Sequence, residues 1–275
     1  MSGWLTRLPE RTRGTGELAS WVDAQRPAYL VLDQHRYPEA SADLLGKPGK
    51  YDFVTLFATT PLAPLIDASP WLIELEVGSE AWQHGEALCR EQRLGWSFQP
   101  AHNARLDDLA DHLRRLFVLD DPHGGQSLIN IQDPAAWTAL LATLPDTSLP
   151  AWLAPLGRVV TPTPQRHWLA WHEVAESEVA YEILPLTREG EAALRAAPGA
   201  WWLSRTTETP LYELSEAWLA RLARLNRAGI TRADHLRRLL EMICQPDDIL
   251  PSAVEQTLVA SLPPRKKVHA LESLT

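Results

Sequence analysis

Apolar positions between residues 102 and 144 follow more than one period, and the changes of period divide the segment into elements. Leu106, Leu109, Leu113, Leu116 and Phe117 recur every three or four positions, the spacing of one helix face. Asn103 is the expected N-cap. Asp107 and Asp108 stand in the first turn and Arg114 and Arg115 in the last, so the charges complement the helix dipole at both ends. Asp121-Pro122-His123-Gly124-Gly125 supplies turn chemistry, and Leu128, Ile129 and Ile131 follow as a short apolar strand. Asp133-Pro134 then stops the strand by offering a cap and a first helical residue that has no N–H to leave unpaired. Ala136, Trp137, Leu140, Leu141 and Leu144 continue as the buried face of the next helix.

Upstream, residues 17–25 read as a short helix broken by Arg26-Pro27. Strands are expected at 28–33, 51–57, 71–76 and 94–98, with a helix over 80–93. The strands are continuous apolar runs more than alternating ones, the pattern of a mixed or parallel sheet covered on both faces. Downstream, residues 158–160, 167–172 and 178–184 read as further strands, added antiparallel to the same sheet. Residues 187–197 read as a helix ended by Pro198-Gly199. Beyond Thr209-Pro210 the pattern is purely helical. Ser215 caps a helix carrying Leu219, Leu222 and Leu225, which Gly229 closes. Thr231 and Asp234 make a capping-box-like start for Leu236, Leu239, Leu240 and Ile243, and a third helix spans 251–262. The expected class is α/β: a mixed-sheet α/β lobe over residues 1–208, then a smaller all-helical lobe over 209–275.

Three blocks carry a family resemblance. They are Tyr29-Leu30-Val31-Leu32-Asp33, then Leu56-Phe57-Ala58-Thr59 with Asp67-Ala68-Ser69-Pro70-Trp71-Leu72-Ile73-Glu74-Leu75, and the Leu-Arg-Arg helix, Gly turn and Asp133-Pro134 helix start. In order and spacing they resemble the domain of unknown function 4123 family over about residues 28–155, with a fainter likeness at Ala228-Gly229-Ile230-Thr231. Members of that family are read as adaptor chaperones of the bacterial type VI secretion system, which load a toxic effector onto the spike protein. The family writes Arg-Phe-Tyr before Asp-Pro where this chain has Asn130-Ile131-Gln132; the Asp133-Pro134 pair is kept.

Composition narrows the partner classes. The formal charge is -9, and residues 1–210 hold 17 Lys+Arg against 27 Asp+Glu while 211–275 hold 9 against 8. An acidic body argues against a nucleic acid partner, which needs a basic face to displace counterions. Cys89 and Cys244, far apart and inside expected helices, give no disulfide framework. With no apolar signal-peptide core near Met1 and no apolar run of spanning length, a cytoplasmic protein without a membrane partner is expected. Twelve tryptophans are the compositional oddity, pointing to large buried contacts within the chain or with partners.

No catalytic device emerges from spacing. His167 and His172 fall on opposite faces of an expected strand, and no His-Glu-x-x-His or Cys-x-x-Cys occurs, so no metal or cofactor is expected. Gly95-Trp96-Ser97-Phe98-Gln99 lacks the second glycine of a nucleophile elbow, and Gly46-Lys47-Pro48-Gly49-Lys50 lacks the hydroxyl residue of a phosphate loop. The pairs Asp107-Asp108, Asp120-Asp121 and Asp247-Asp248 sit where helix dipoles or turns account for them. Asp133 is read as a cap.

Trp201-Trp202, expected on an extended segment after the Pro-Gly break so that the two rings point to opposite sides, are read either as packing between the lobes or, for one of the two, as facing a groove or partner, and Ile249-Leu250 beside Pro246 and Pro251 are a second candidate for partner contact. The expected function is a non-enzymatic adaptor that binds a secreted effector and the type VI spike protein. The alternatives are a hydrolase whose site, including Ser97, is assembled only in space, or a general protein-interaction module.

Overall fold

The computed structural model describes residues 3–100, 102, 104–173, 183–245 and 251–274. Among them the strands are β1 (Thr12–Gly16), β2 (Ala28–Leu32), β3 (Lys50–Thr55), β4 (Trp71–Leu75), β5 (Gly95–Gln99), β6 (Val118–Asp120), β7 (Gln126–Leu128), β8 (Arg158–Pro162) and β9 (Trp168–Trp171). The helices are α1 (Trp4–Arg11), α2 (Pro38–Leu45), α3 (Glu80–Gln92), α4 (Leu106–Arg114), α5 (Pro134–Thr143), α6 (Leu149–Leu153), α7 (Arg188–Thr207), α8 (Glu216–Arg227), α9 (Ala233–Arg238), α10 (Leu240–Ile243), α11 (Ser252–Val259) and α12 (Pro264–Glu272).

Seven strands form one sheet in the order β1-β9-β8-β5-β2-β4-β3, flanked by helices: an α/β architecture with a helical C-terminal region. Every strand pairing in it is antiparallel, where a mixed or parallel sheet was expected. Burial on both faces produces the apolar runs whatever the strand direction. Along β2, Ala28, Leu30 and Leu32 enter one apolar cluster while Tyr29 and Val31 enter the other, so a strict period of two is present but hidden by apolar residues on each side. The first cluster is closed by α2 and α3 through Leu44, Ala81, Trp82, Leu88 and Cys89. The second is closed by α1, α4, α5 and α7 and continues without interruption to Leu271 in α12.

The second cluster holds an aromatic stack. The Trp96 ring of β5 lies 4.7 Å from the Trp137 ring of α5, and Trp137 lies 5.8 Å from Trp152 of α6. The Trp96 indole N–H donates to the Ile131 carbonyl at 2.6 Å. Each of the twelve tryptophans is buried or half-buried, so the compositional excess is spent largely on the interior.

Local expectations hold where a cap or turn residue decides the conformation. Asp133 and Ser215 each accept a backbone N–H at the start of α5 and α8 as expected, and Ser79, not singled out in the sequence, does the same for α3. The end of α8 is sealed at Gly229, φ +86°, by bonds from Gly229 N–H to Asn226 and from Ile230 N–H to Leu225. The Asp121 carboxylate accepts N–H groups of Gly125 and His123, and those bonds hold it below the usual carboxylate range.

Elsewhere tertiary contacts override the local pattern. Residues 17–25 form only a 3-10 turn, Leu18–Ser20, because Gln99 takes over the following loop, accepting the Asp23 N–H and donating to the Asp23 carbonyl. The 121–125 turn closes a hairpin of β6 and β7, so Ile129 and Ile131 lie beyond the strand as buried connector residues. Thr231 caps nothing: α9 starts after Arg232, and the helix expected through Ile243 is divided at Leu239. Asn103, Asp247, Asp248 and most of the strand expected at 178–184 lie outside the described residues.

In the C-terminal helices two buried cations satisfy helix-end carbonyls. Arg221 Nη1 donates to the Ile243 and Gln245 carbonyls at 2.6 Å each, and Lys267 Nζ donates to Leu258 at 2.7 Å and Ala228 at 3.2 Å. No helix among the described residues is long and apolar enough to cross a membrane.

Candidate partner-binding site

The register brings several loops to one end of the sheet. Leu32 at the end of β2 lies opposite both Trp71, where β4 begins, and Gly95, where β5 begins. The segment after β2 and the turn before β5 therefore emerge side by side. Gly95 permits that closeness: a Cβ there would sit 1.9 Å from the Val31 carbonyl oxygen.

The turn from α3 into β5 places Arg93 in the left-handed region, φ 57° and ψ 42°, a conformation that glycine or asparagine usually supplies. Its guanidinium reaches the first turn of α5. Arg93 Nε donates to Asp133 Oδ1 at 2.7 Å and Nη2 donates to Oδ2 at 2.5 Å, a two-pronged ion pair with side chains 16% and 23% exposed. The same Oδ1 accepts the Ala135 N–H at 3.0 Å. Asp133 thus caps α5, as its sequence context predicts, and also anchors Arg93.

The other face of Arg93 is covered by α7. The guanidinium carbon lies 4.9 Å from the centre of the Trp201 ring, a cation–π distance. This contact exists because α7 runs unbroken from Arg188 to Thr207 through Pro198 and Gly199, correcting the expected helix end at Pro198. Packing holds the helix together across the proline: Ala193, Ala197, Ala200, Trp201 and Leu203 are buried on both sides of it. The two tryptophans are therefore helical neighbours, about 100° apart, not residues pointing to opposite sides of an extended chain. Trp201 is 4% exposed and belongs to the core, whereas Trp202 is half-buried, and both border a surface groove. Ile249 and Leu250 lie outside the described residues.

The groove measures about 660 Å³ and is lined by Arg36, Tyr37, Arg93, Trp202, Arg205 and Arg237, with Glu91 among its walls. Arg36 is oriented by a bond from Nη1 to the Arg93 carbonyl, 3.3 Å. Beneath it, burial lifts the Asp33 carboxyl above the usual carboxylate range; the Arg36 charge and the His35 and Arg36 amides oppose the rise, and the Asp133 charge adds to it. Arg36, Arg93, Arg205 and Arg237 come from four separate stretches, so spacing gives no sign of their convergence. Arg93 was not marked either: the sequence places it at the end of a helix over 80–93, and its left-handed conformation is a feature of the turn into β5.

The remaining candidates lie apart from this groove. Ser97 is fully buried in β5 and donates its hydroxyl to the Tyr29 carbonyl at 3.0 Å. His112, not singled out by spacing, is buried, with Nε2 3.0 Å from the Trp152 carbonyl and Nδ1 3.2 Å from Arg115 Nη2. Burial pushes its pKa down to about 4.

Residues 28–151 match the family model described as "Domain of unknown function (DUF4123)". The matched span contains Arg36, Arg93 and Asp133 and ends before α7. No curated protein and no solved structure matches the chain.

Proposed function

We propose that this chain is an adaptor of the type VI secretion system that binds a secreted effector and the spike protein and joins them without turnover. The observation that carries the reading is the DUF4123 match over residues 28–151, together with the resemblance of that block to effector-loading adaptors. The groove adds physical support. Of its lining, Arg36 and Arg93 lie inside the matched block, while Trp202 and Arg205 come from α7 outside it. A surface shared by two parts of the chain suits a protein that receives cargo on one region and presents it on another. In this reading the α/β lobe and the C-terminal helices each hold one partner, in the cytoplasm, before secretion.

The test is co-expression with a type VI spike protein and a toxic effector from the same genome, followed by purification on one tag. A ternary complex, with the effector lost from the spike when this chain is omitted, is the expected result. Recovery of spike and effector together in its absence would overturn the adaptor role.

A further inference from the structure

The groove between the end of the sheet and α7 is a cationic feature on an acidic protein. It brings four arginines together, although residues 1–210 carry 27 acidic against 17 basic side chains. Their states differ. Arg93 is committed to Asp133, and Arg36 leans on the Arg93 backbone. Arg205 and Arg237 are exposed, and among the described residues neither has an ion-pair partner. Trp202 offers a half-buried ring beside them, and its buried Nε1 has no hydrogen-bond partner. Free guanidinium forks next to an aromatic ring recognise planar carboxylates attached to an apolar chain.

From this geometry we infer that the Arg205–Arg237–Trp202 groove docks an acidic peptide segment of a partner protein, with carboxylates on the two free arginines and an apolar side chain against Trp202. The Arg93–Asp133 pair shows the same chemistry already made inside the chain, a carboxylate taken by an arginine fork at the groove wall. Charge complementarity selects the occupant. A nucleic acid lays down a line of phosphates that would extend past the groove along a chain of net charge -9, whereas a short carboxylate-bearing segment ends within it. This inference rests on reading the chain as a partner-binding adaptor and names the chemistry of one of its contacts.

The experiment measures binding of a fluorescent peptide rich in Asp and Glu with a central Phe. Its controls are the Asn/Gln counterpart and a single-stranded oligonucleotide of equal charge. The full chain is compared with R205E/R237E, and with R205Q/R237Q should the charge reversal fail to fold. The acidic peptide is expected to bind the unaltered chain about tenfold or more tighter than its amide counterpart, to weaken with added salt, and to lose about tenfold or more in the variant. Equal binding of the acidic and amide peptides, or an unaffected variant, overturns the inference. So does tighter, arginine-dependent binding of the oligonucleotide. The adaptor reading fails separately: peptide binding without a ternary complex removes the secretion role and keeps the groove, whereas a ternary complex indifferent to R205E/R237E does the reverse.

Discussion

Arg93 and Asp133, forty positions apart, form a two-pronged ion pair that ties the end of α3 to the start of α5, with Trp201 of α7 stacked on its outer side. One guanidinium therefore joins three helices at the end of the sheet where the groove opens. Such a pair is worth more than an exposed one because its geometry is bidentate and its side chains are mostly shielded.

Asp133 has two separable roles. Asp133→Asn keeps a competent cap but loses the charged fork, and a cost of about 1–2 kcal/mol is expected; Asp133→Ala loses both, at roughly 1 kcal/mol more. A denaturant double-mutant cycle with Arg93→Ala should return a coupling above about 1 kcal/mol. Additivity within about 0.5 kcal/mol would show that the pair contributes nothing.

The adjacent tryptophans should separate stability from binding. Trp201→Ala removes a buried ring and its cation–π partner, with an expected cost of about 3–5 kcal/mol in urea unfolding. Trp202→Ala should cost less than half as much and weaken partner capture. Equal destabilisation by both would contradict the placement of Trp202 at the groove.

His112 predicts a pH dependence. Its folded pKa is about 4 because burial disfavours the cation, against 6.5 in the unfolded chain. Between those values the unfolded state binds the extra proton, so stability is lost as pH falls from 6.5 towards 4, by on the order of 3 kcal/mol. His112→Gln should flatten that part of the stability-pH curve. A curve of unchanged slope would mean that His112 is not the titrating group.

Pro198 sits exposed inside α7, where it removes the bond to the residue-194 carbonyl. Pro198→Ala should raise stability by about 1–2 kcal/mol, the helical gain being partly offset by a looser unfolded chain. Gly199→Ala differs, since the new Cβ would lie 3.1 Å from Leu222 Cδ2 and that side chain must give by a few tenths of an ångström. Thermal unfolding of both variants checks this, and a destabilising Pro198→Ala would show that the helix depends on its proline.

Elements whose conformation is decided within a few residues were legible in the chain alone: the caps at Asp133 and Ser215, the Asp121–Gly125 turn, the Gly229 helix end, and the buried runs of β2, β4 and β5. Their hydrogen bonds close locally, so residue type and spacing suffice. Strand direction was not legible, because apolar residues on both faces write the same run for parallel and antiparallel neighbours. Nor was the passage of α7 through Pro198, where local propensity favours a break and burial of Ala197, Ala200 and Trp201 favours continuity. The groove lay furthest from view: Arg36, Arg93, Arg205 and Arg237 are brought together only by sheet register and helix packing, and charged side chains at the ends of separate elements carry no period that could announce where they meet.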